Sequence, residues 1–134
     1  MMHIVLAGRE RDDLVRFGAE LCGIRQVSIT HVDSAAATLK AVEACGIDLV
    51  VVGQSLVDAS PVECITRLIR QNALINCALI SATEQNAFHE ATEGLGILMQ
   101  LPPNPSANDA AVLLDKIESL SSLLNGEVGK GIYQ

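Results

Sequence analysis

Aromatic side chains are almost absent from this chain: two Phe, one Tyr and no Trp among 134 residues. A core built without them must be aliphatic, from Leu, Ile, Val and Ala, and nothing obvious is available to stack on a flavin ring. Basic residues are scarce as well. Nine Lys and Arg face sixteen Asp and Glu, for a net charge of −7. That balance opposes nucleic-acid binding, which needs clustered cations for the phosphates. No apolar run reaches the roughly 18 to 20 residues that cross a bilayer. The N-terminus lacks the charged, apolar and small-residue segments of a secretion signal. The expectation is a cytoplasmic domain with no membrane contact. Cys22, Cys45, Cys64 and Cys77 form no C-x-x-C pair and have no His at ligand spacing. Each reads as a small buried hydrophobe. The G-x-G-x-x-G loop, the Walker lysine loop and a D-x-H-x-x-G signature are all missing. No cofactor and no metal are expected.

Present instead is a regular alternation of short apolar runs with helical patterns, over a length that suits one domain. His3 to Gly8 reads as a first strand. Asp12 to Cys22 reads as a helix with Leu14, Phe17, Gly18 and Leu21 on one face and Gly23 just past its end. Gln26 to Val32 is β-branched and alternating. Ser34 caps a helix through Cys45 that Gly46 ends, with Leu39 and Val42 inward. Asp48 to Val52 is unbroken hydrophobic sequence, which implies a central strand buried on both faces. Ser60, Pro61 and Glu63 form a capping box ahead of an Ile65, Leu68, Ile69 stripe. Cys77 to Ser81 and Ile97 to Leu101 read as the fourth and fifth strands, with a short helix over about Glu84 to Glu93 between them. Pro102 and Pro103 break the fifth strand. A last helix runs from about Ser106 to Leu124 with Val112, Leu113, Ile117, Leu120 and Leu124 as its stripe. Five β-α units joined by right-handed crossovers predict an open, doubly wound parallel sheet, with any site at the carboxyl ends of the strands. Residues 1–125 make up the domain. Residues 126–134 are Gly-rich and without periodicity, and read as a flexible tail or linker stub.

In this order the chain resembles the receiver (CheY-like) domains of bacterial response regulators. The resemblance spans about residues 3 to 124. Gly46 to Val52 is similar to the family's PDLVLLD third strand. Ser81-Ala82 matches the hydroxyl-Ala that ends the fourth, and Gly94 to Pro102 matches GADDYLTKP at its Gly and Pro. The implied fold class is α/β, a five-stranded parallel sheet with five helices, flavodoxin-like and doubly wound, (βα)5. The resemblance also implies a cis bond at Leu101-Pro102.

Receiver chemistry makes physical demands that can be checked residue by residue. A carboxylate ending the third strand attacks the phosphodonor, and two acids after the first strand hold Mg²⁺. A hydroxyl and a Lys stabilise the phosphoryl oxygens. Here the acceptor position carries Gly53, the acid pair is replaced by Ala7 and Gly8, and the Lys position carries Leu101. Only Ser81 keeps its family chemistry. The switch aromatic of the fifth strand is Leu98. Gly53 reads first as a turn requirement, and second as room for a small ligand. Glu10, Asp12, Asp13 and Asp58 are the acids that a displaced acceptor site needs. The plainer reading places Asp12 and Asp13 at the positive start of the first helix and leaves Asp58 solvated. His3, His31 and His89 lie on separate elements and read as ordinary strand or surface residues.

The resulting expectation is a non-enzymatic signalling module, a pseudo-receiver that works by protein–protein contact. Its partner is a signalling protein, an output domain or a second copy in a homodimer. The family's usual contact face, the fourth helix, fifth strand and fifth helix, draws here on Phe88 and Leu98. The first alternative is a receiver phosphorylated at a displaced acid. The second is a flavodoxin-like domain that binds a small molecule.

Overall fold

A computed structural model describes residues 2–44, 46–82 and 96–124, with side chains to residue 120. The strands are β1 (Met2–Ala7), β2 (Val27–Val32), β3 (Leu49–Val52), β4 (Asn76–Ile80) and β5 (Met99–Leu101). The helices are α1 (Arg11–Ile24), α2 (Ala35–Glu43), α3 (Pro61–Gln71) and α4 (Ala107–Leu124). All strand pairs are parallel, in the order β2-β1-β3-β4-β5. The helix expected over Glu84 to Glu93, the tail beyond Leu124, Cys45, Phe88 and His89 lie outside the described residues.

Strand alternation divides the core in two. Ile4, Leu6, Leu49, Val51, Ala78, Ile80 and Leu101 meet α1 and α4 through Leu14, Phe17, Leu21, Leu113, Leu114 and Ile117. Val5, Ala7, Val50, Val52, Cys77 and Leu79 meet α2 and α3 on the opposite face. β1 and β3 are therefore covered on both sides, as their unbroken apolar sequence requires. Phe17, wholly buried, supplies aromatic bulk to an otherwise aliphatic core. Gly18 lets α1 approach the sheet: a Cβ there would stand 3.2 Å from Leu6 and 3.8 Å from the His31 ring. Arg25, at the end of α1, pairs with Glu118 and Asp115 of α4 and ties the two helices of that layer together.

The helix starts follow local chemistry. Ser34 Oγ accepts from Ala37 N at 3.0 Å, and Ser60 Oγ accepts from Glu63 N at 3.1 Å behind Pro61. The Glu63 carboxylate does not complete the box by reaching back. It pairs with Arg67 one turn on, at 3.0 Å. Gly46, at φ 80°, uses the left-handed region that glycine favours.

Some expectations need correction. Gly23 lies inside α1, which runs on to Ile24. Val112 is not part of the buried stripe of α4. It is 39% exposed, and Ala110 and Leu114 take the inward positions beside Leu113 and Ile117. Cys22 is exposed, while Cys64 and Cys77 are buried as expected. The Leu101-Pro102 bond is trans, since no cis bond occurs among the described residues.

Candidate functional site

The strand ends converge at one edge of the sheet, where β1 and β3 are in register as Ala7 with Val52. The next residue on each strand is a glycine, so Gly8 and Gly53 flank the mouth between the two central strands. Gly53 N donates to Ala7 O at 2.6 Å, and Gly8 N donates to Val32 O at 2.9 Å. Both glycines are buried.

The space that they leave is filled by the chain itself. Glu10, immediately before α1, turns its side chain back into the mouth. Its Oε2 accepts from Gln54 N at 2.6 Å, which ties the β1–α1 loop to the loop after β3. Its Oε1 is buried and has no hydrogen-bond partner among the described residues. A Cβ on Gly53 would stand 2.5 Å from that oxygen and 3.2 Å from Ala7 O. A Cβ on Gly8 would collide with the same oxygen. Gly53 is not in the left-handed region, where only Gly46 and Gly96 among the described glycines fall. The turn reading of Gly53 is thus corrected: the residue is small to make room for a carboxylate. Glu10 gives its own helix no side-chain cap, because that group is engaged 44 residues away.

The five positions singled out in the sequence do not share one hollow. Gly8 and Gly53 meet around Glu10. Ala7 belongs to the core beneath α2 and α3, and Leu101 to the core beneath α1 and α4, both wholly buried. Ser81 sits at the end of β4, where its N–H donates to Leu101 O at 2.9 Å and its carbonyl accepts from Gln100 Nε2 at 3.1 Å. It lines a shallow hollow of about 290 Å³ with Gln54, Ser60 and Pro61. Leu98 lines a separate hollow of about 400 Å³ with Val112, Lys116 and Leu120 of α4.

Two of the other acids have partners. Asp13 pairs with Arg16 at 2.8 Å. Asp58 is exposed but not idle: its two oxygens accept from Ala35 N at 2.6 Å and Ala36 N at 3.1 Å, capping α2 from across the β3–α3 loop. These backbone donors hold its carboxyl below the usual value of 3.8. Asp58 is thus solvated, as the plainer reading has it, and caps α2 as well. Among the described residues, no three His, Cys, Asp or Glu side chains are grouped to hold a metal ion.

Sequence reasoning named Glu10 only as one of four stray acids. The signal that would have found it is the pair Gly8 and Gly53, two residues without side chains on neighbouring strands next to a loop glutamate.

No family model and no curated protein matches the chain. Solved structures do. The signal receiver domain of an HD domain-containing protein from Pseudomonas fluorescens Pf-5 aligns with 92% of each chain, at 16% identity and a TM-score of 0.78. A CheY-like receiver domain protein from Methanospirillum hungatei JF-1 aligns over 95% of this chain and 98% of its own, at 13% identity and a TM-score of 0.76. The non-phosphorylated receiver domain of the stress response regulator RcsB from Escherichia coli aligns over 93% and 94%, at 14% identity and a TM-score of 0.72. The architecture around Glu10 is thus the response-regulator receiver fold, the CheY-like α/β arrangement of a doubly wound parallel sheet.

Proposed function

We propose that the chain is a non-enzymatic signalling module of receiver fold that acts through protein contact, without aspartyl phosphorylation. The carrying observation is the Glu10 carboxylate lodged against Gly53. A receiver switches when a phosphoryl group arrives on a carboxylate at the end of β3. Here that position has no side chain, and the place for one is taken by an acid from another loop. Leu101, buried where the family has Lys, has no charge to offer a phosphoryl oxygen. The Glu10–Gln54 bond ties the β1–α1 loop to the loop after β3 at the mouth where a receiver takes up phosphate, which supports a module that does not switch by that route. The partner face in this reading is the surface of β5 and α4, where Leu98, Val112 and Leu120 border a hollow flanked by Asp115 and Lys116. Its occupant is a signalling protein, an output domain or a second copy. No role for nucleic acid is proposed, given a net charge of −7. None of the described helices is long and apolar enough to cross a membrane.

The test is intact mass after incubation with acetyl phosphate and Mg²⁺, beside a phosphorylatable receiver as control. No mass gain with the control labelled is the expected result. A gain of one phosphoryl group overturns the reading. If Glu10→Gln then abolishes the gain, Glu10 is itself the displaced acceptor.

A further inference from the structure

Another concavity opens at the same edge of the sheet and shares Gly8 with the Glu10 mouth. It lies between the ends of β1 and β2, has a volume of about 480 Å³, and is lined by Gly8, Arg9, Arg11, Leu14, His31, Val32, Asp33 and Val57. That volume falls within the range of sites for small organic ligands. Its chemistry runs against the rest of the molecule. In a chain of net charge −7, two of only nine Lys and Arg residues converge on it. Arg9 and Arg11 form no ion pair among the described residues, whereas Arg16, Arg25 and Arg67 all do. The two arginines also border a neighbouring hollow that holds Asp12 and Asp13, and of these acids Asp13 is already tied to Arg16.

Three further features give the groove a direction. His31 forms its floor, packed near Gly18 of α1. Burial, and after it the nearby Arg11 charge, lower its pKa from 6.5, which favours the neutral ring over the cation. Asp33 follows the last residue of β2 directly. In the Rossmann arrangement, whose strand order differs from this one, an acid near the end of the second strand accepts from ribose hydroxyls, while the phosphate lies over the turn from the first strand into the first helix. That turn is where Arg9 and Arg11 stand. Leu14, Val32 and Val57 add an apolar wall, and Val57 is 62% exposed with nothing described to cover it. The loop lacks the glycines that let a backbone cradle a pyrophosphate, and the phosphate-binding groups it offers are the guanidinium groups of Arg9 and Arg11.

We propose that this groove binds a small sugar phosphate of nucleoside-monophosphate type, with its phosphate on Arg9 and Arg11, its hydroxyls on Asp33 and its base against Val32 and Val57. This goes beyond the partner-binding role proposed above and stands independently of it.

The test is calorimetric titration of the whole chain with AMP, ribose 5-phosphate and inorganic phosphate in turn. Wild type, Arg11→Ala, the double variant Arg9→Ala with Arg11→Ala, and Asp33→Asn are compared. Both arginines are exposed, and circular dichroism checks that each variant is folded. Saturable binding of AMP is expected, weakened about 10-fold or more by Arg11→Ala and further in the double variant. Asp33→Asn weakens AMP and ribose 5-phosphate but leaves inorganic phosphate unchanged. AMP binding tighter than that of ribose 5-phosphate supports the proposal, whereas equal affinity overturns it, because the base then gains nothing from Val32 and Val57. No saturation by AMP or ribose 5-phosphate at millimolar concentration overturns it. So does unaltered affinity in the double variant, or inorganic phosphate binding as tightly as AMP. None of these outcomes depends on the acetyl phosphate experiment.

Discussion

Glu10 and Gly53 are coupled in a way that single substitutions can reveal. A methyl group at position 53 displaces the Glu10 carboxylate, loses its bond to Gln54 N and crowds Ala7 O. Against this, Ala restricts the unfolded chain and returns about 0.4–1 kcal/mol. Gly53→Ala is therefore expected to destabilise the protein by about 1–2 kcal/mol in urea titrations. In a Glu10→Ala background the carboxylate is gone and only the 3.2 Å approach to Ala7 O remains, so the same substitution should cost clearly less. A fully additive double mutant would mean that Glu10 does not occupy the mouth in solution. The cysteines allow a second check at this scale. Burial raises the Cys64 thiol to about 11 and the Cys77 thiol to about 12. The thiolate is the reactive form, so both should resist a thiol reagent in the native protein at pH 8 and react on denaturation. Exposed Cys22 should be modified without unfolding, as peptide mass mapping would show.

Among the elements, α2 is the one held from outside its own segment. Asp58 bonds to its first two backbone amides, Ser34 Oγ to its third, and Val57 N to Asp33 O just ahead of it. Because the folded-state pKa of Asp58 lies below 3.8, the bond contributes stability above the unfolded value and loses it as pH falls through the folded one. Asp58→Ala should lower the urea midpoint at pH 7, and the gap to wild type should close well below pH 3.8. A gap that persists in acid would point to packing rather than charge. The contrast between Ser34 and Asp58 also marks how far the sequence was legible. Ser34 caps within three residues, and local pattern finds such a cap. Asp58 reaches back 23 residues and Glu10 forward 44, and no periodicity encodes those distances. The succession of strands along the chain and the helix starts at Ser34 and Ser60 were readable because alternation and caps are local. Gly23 misled because a glycine after an apolar stripe usually ends a helix, whereas here the helix runs one residue beyond it. Val112 misled because α4 buries one side only, and its other side borders the Leu98 hollow.

For the molecule as a whole, the sheet order puts the most protected backbone at β1, β3 and β4, each flanked by two strands and contributing to both core layers. Native-state hydrogen exchange should find their amides slowest and those of the edge strands β2 and β5 faster. Comparable rates across all five strands would contradict a sheet with β2 and β5 at its edges. The central place of β1 also bears on how the chain is made. β1 is synthesised before both of its neighbours. His3 gains its partner Ser28 after 25 further residues, and Asp48, which clasps it from the other side, only after 45. At cellular elongation rates that second interval is roughly 2 to 9 seconds, long compared with the microseconds in which a hairpin closes. During synthesis a strand that ends in the interior of the sheet is thus, for a time, an apolar ribbon with open hydrogen-bonding edges. On the nascent chain that ribbon stays open to other contacts until β3 has been made.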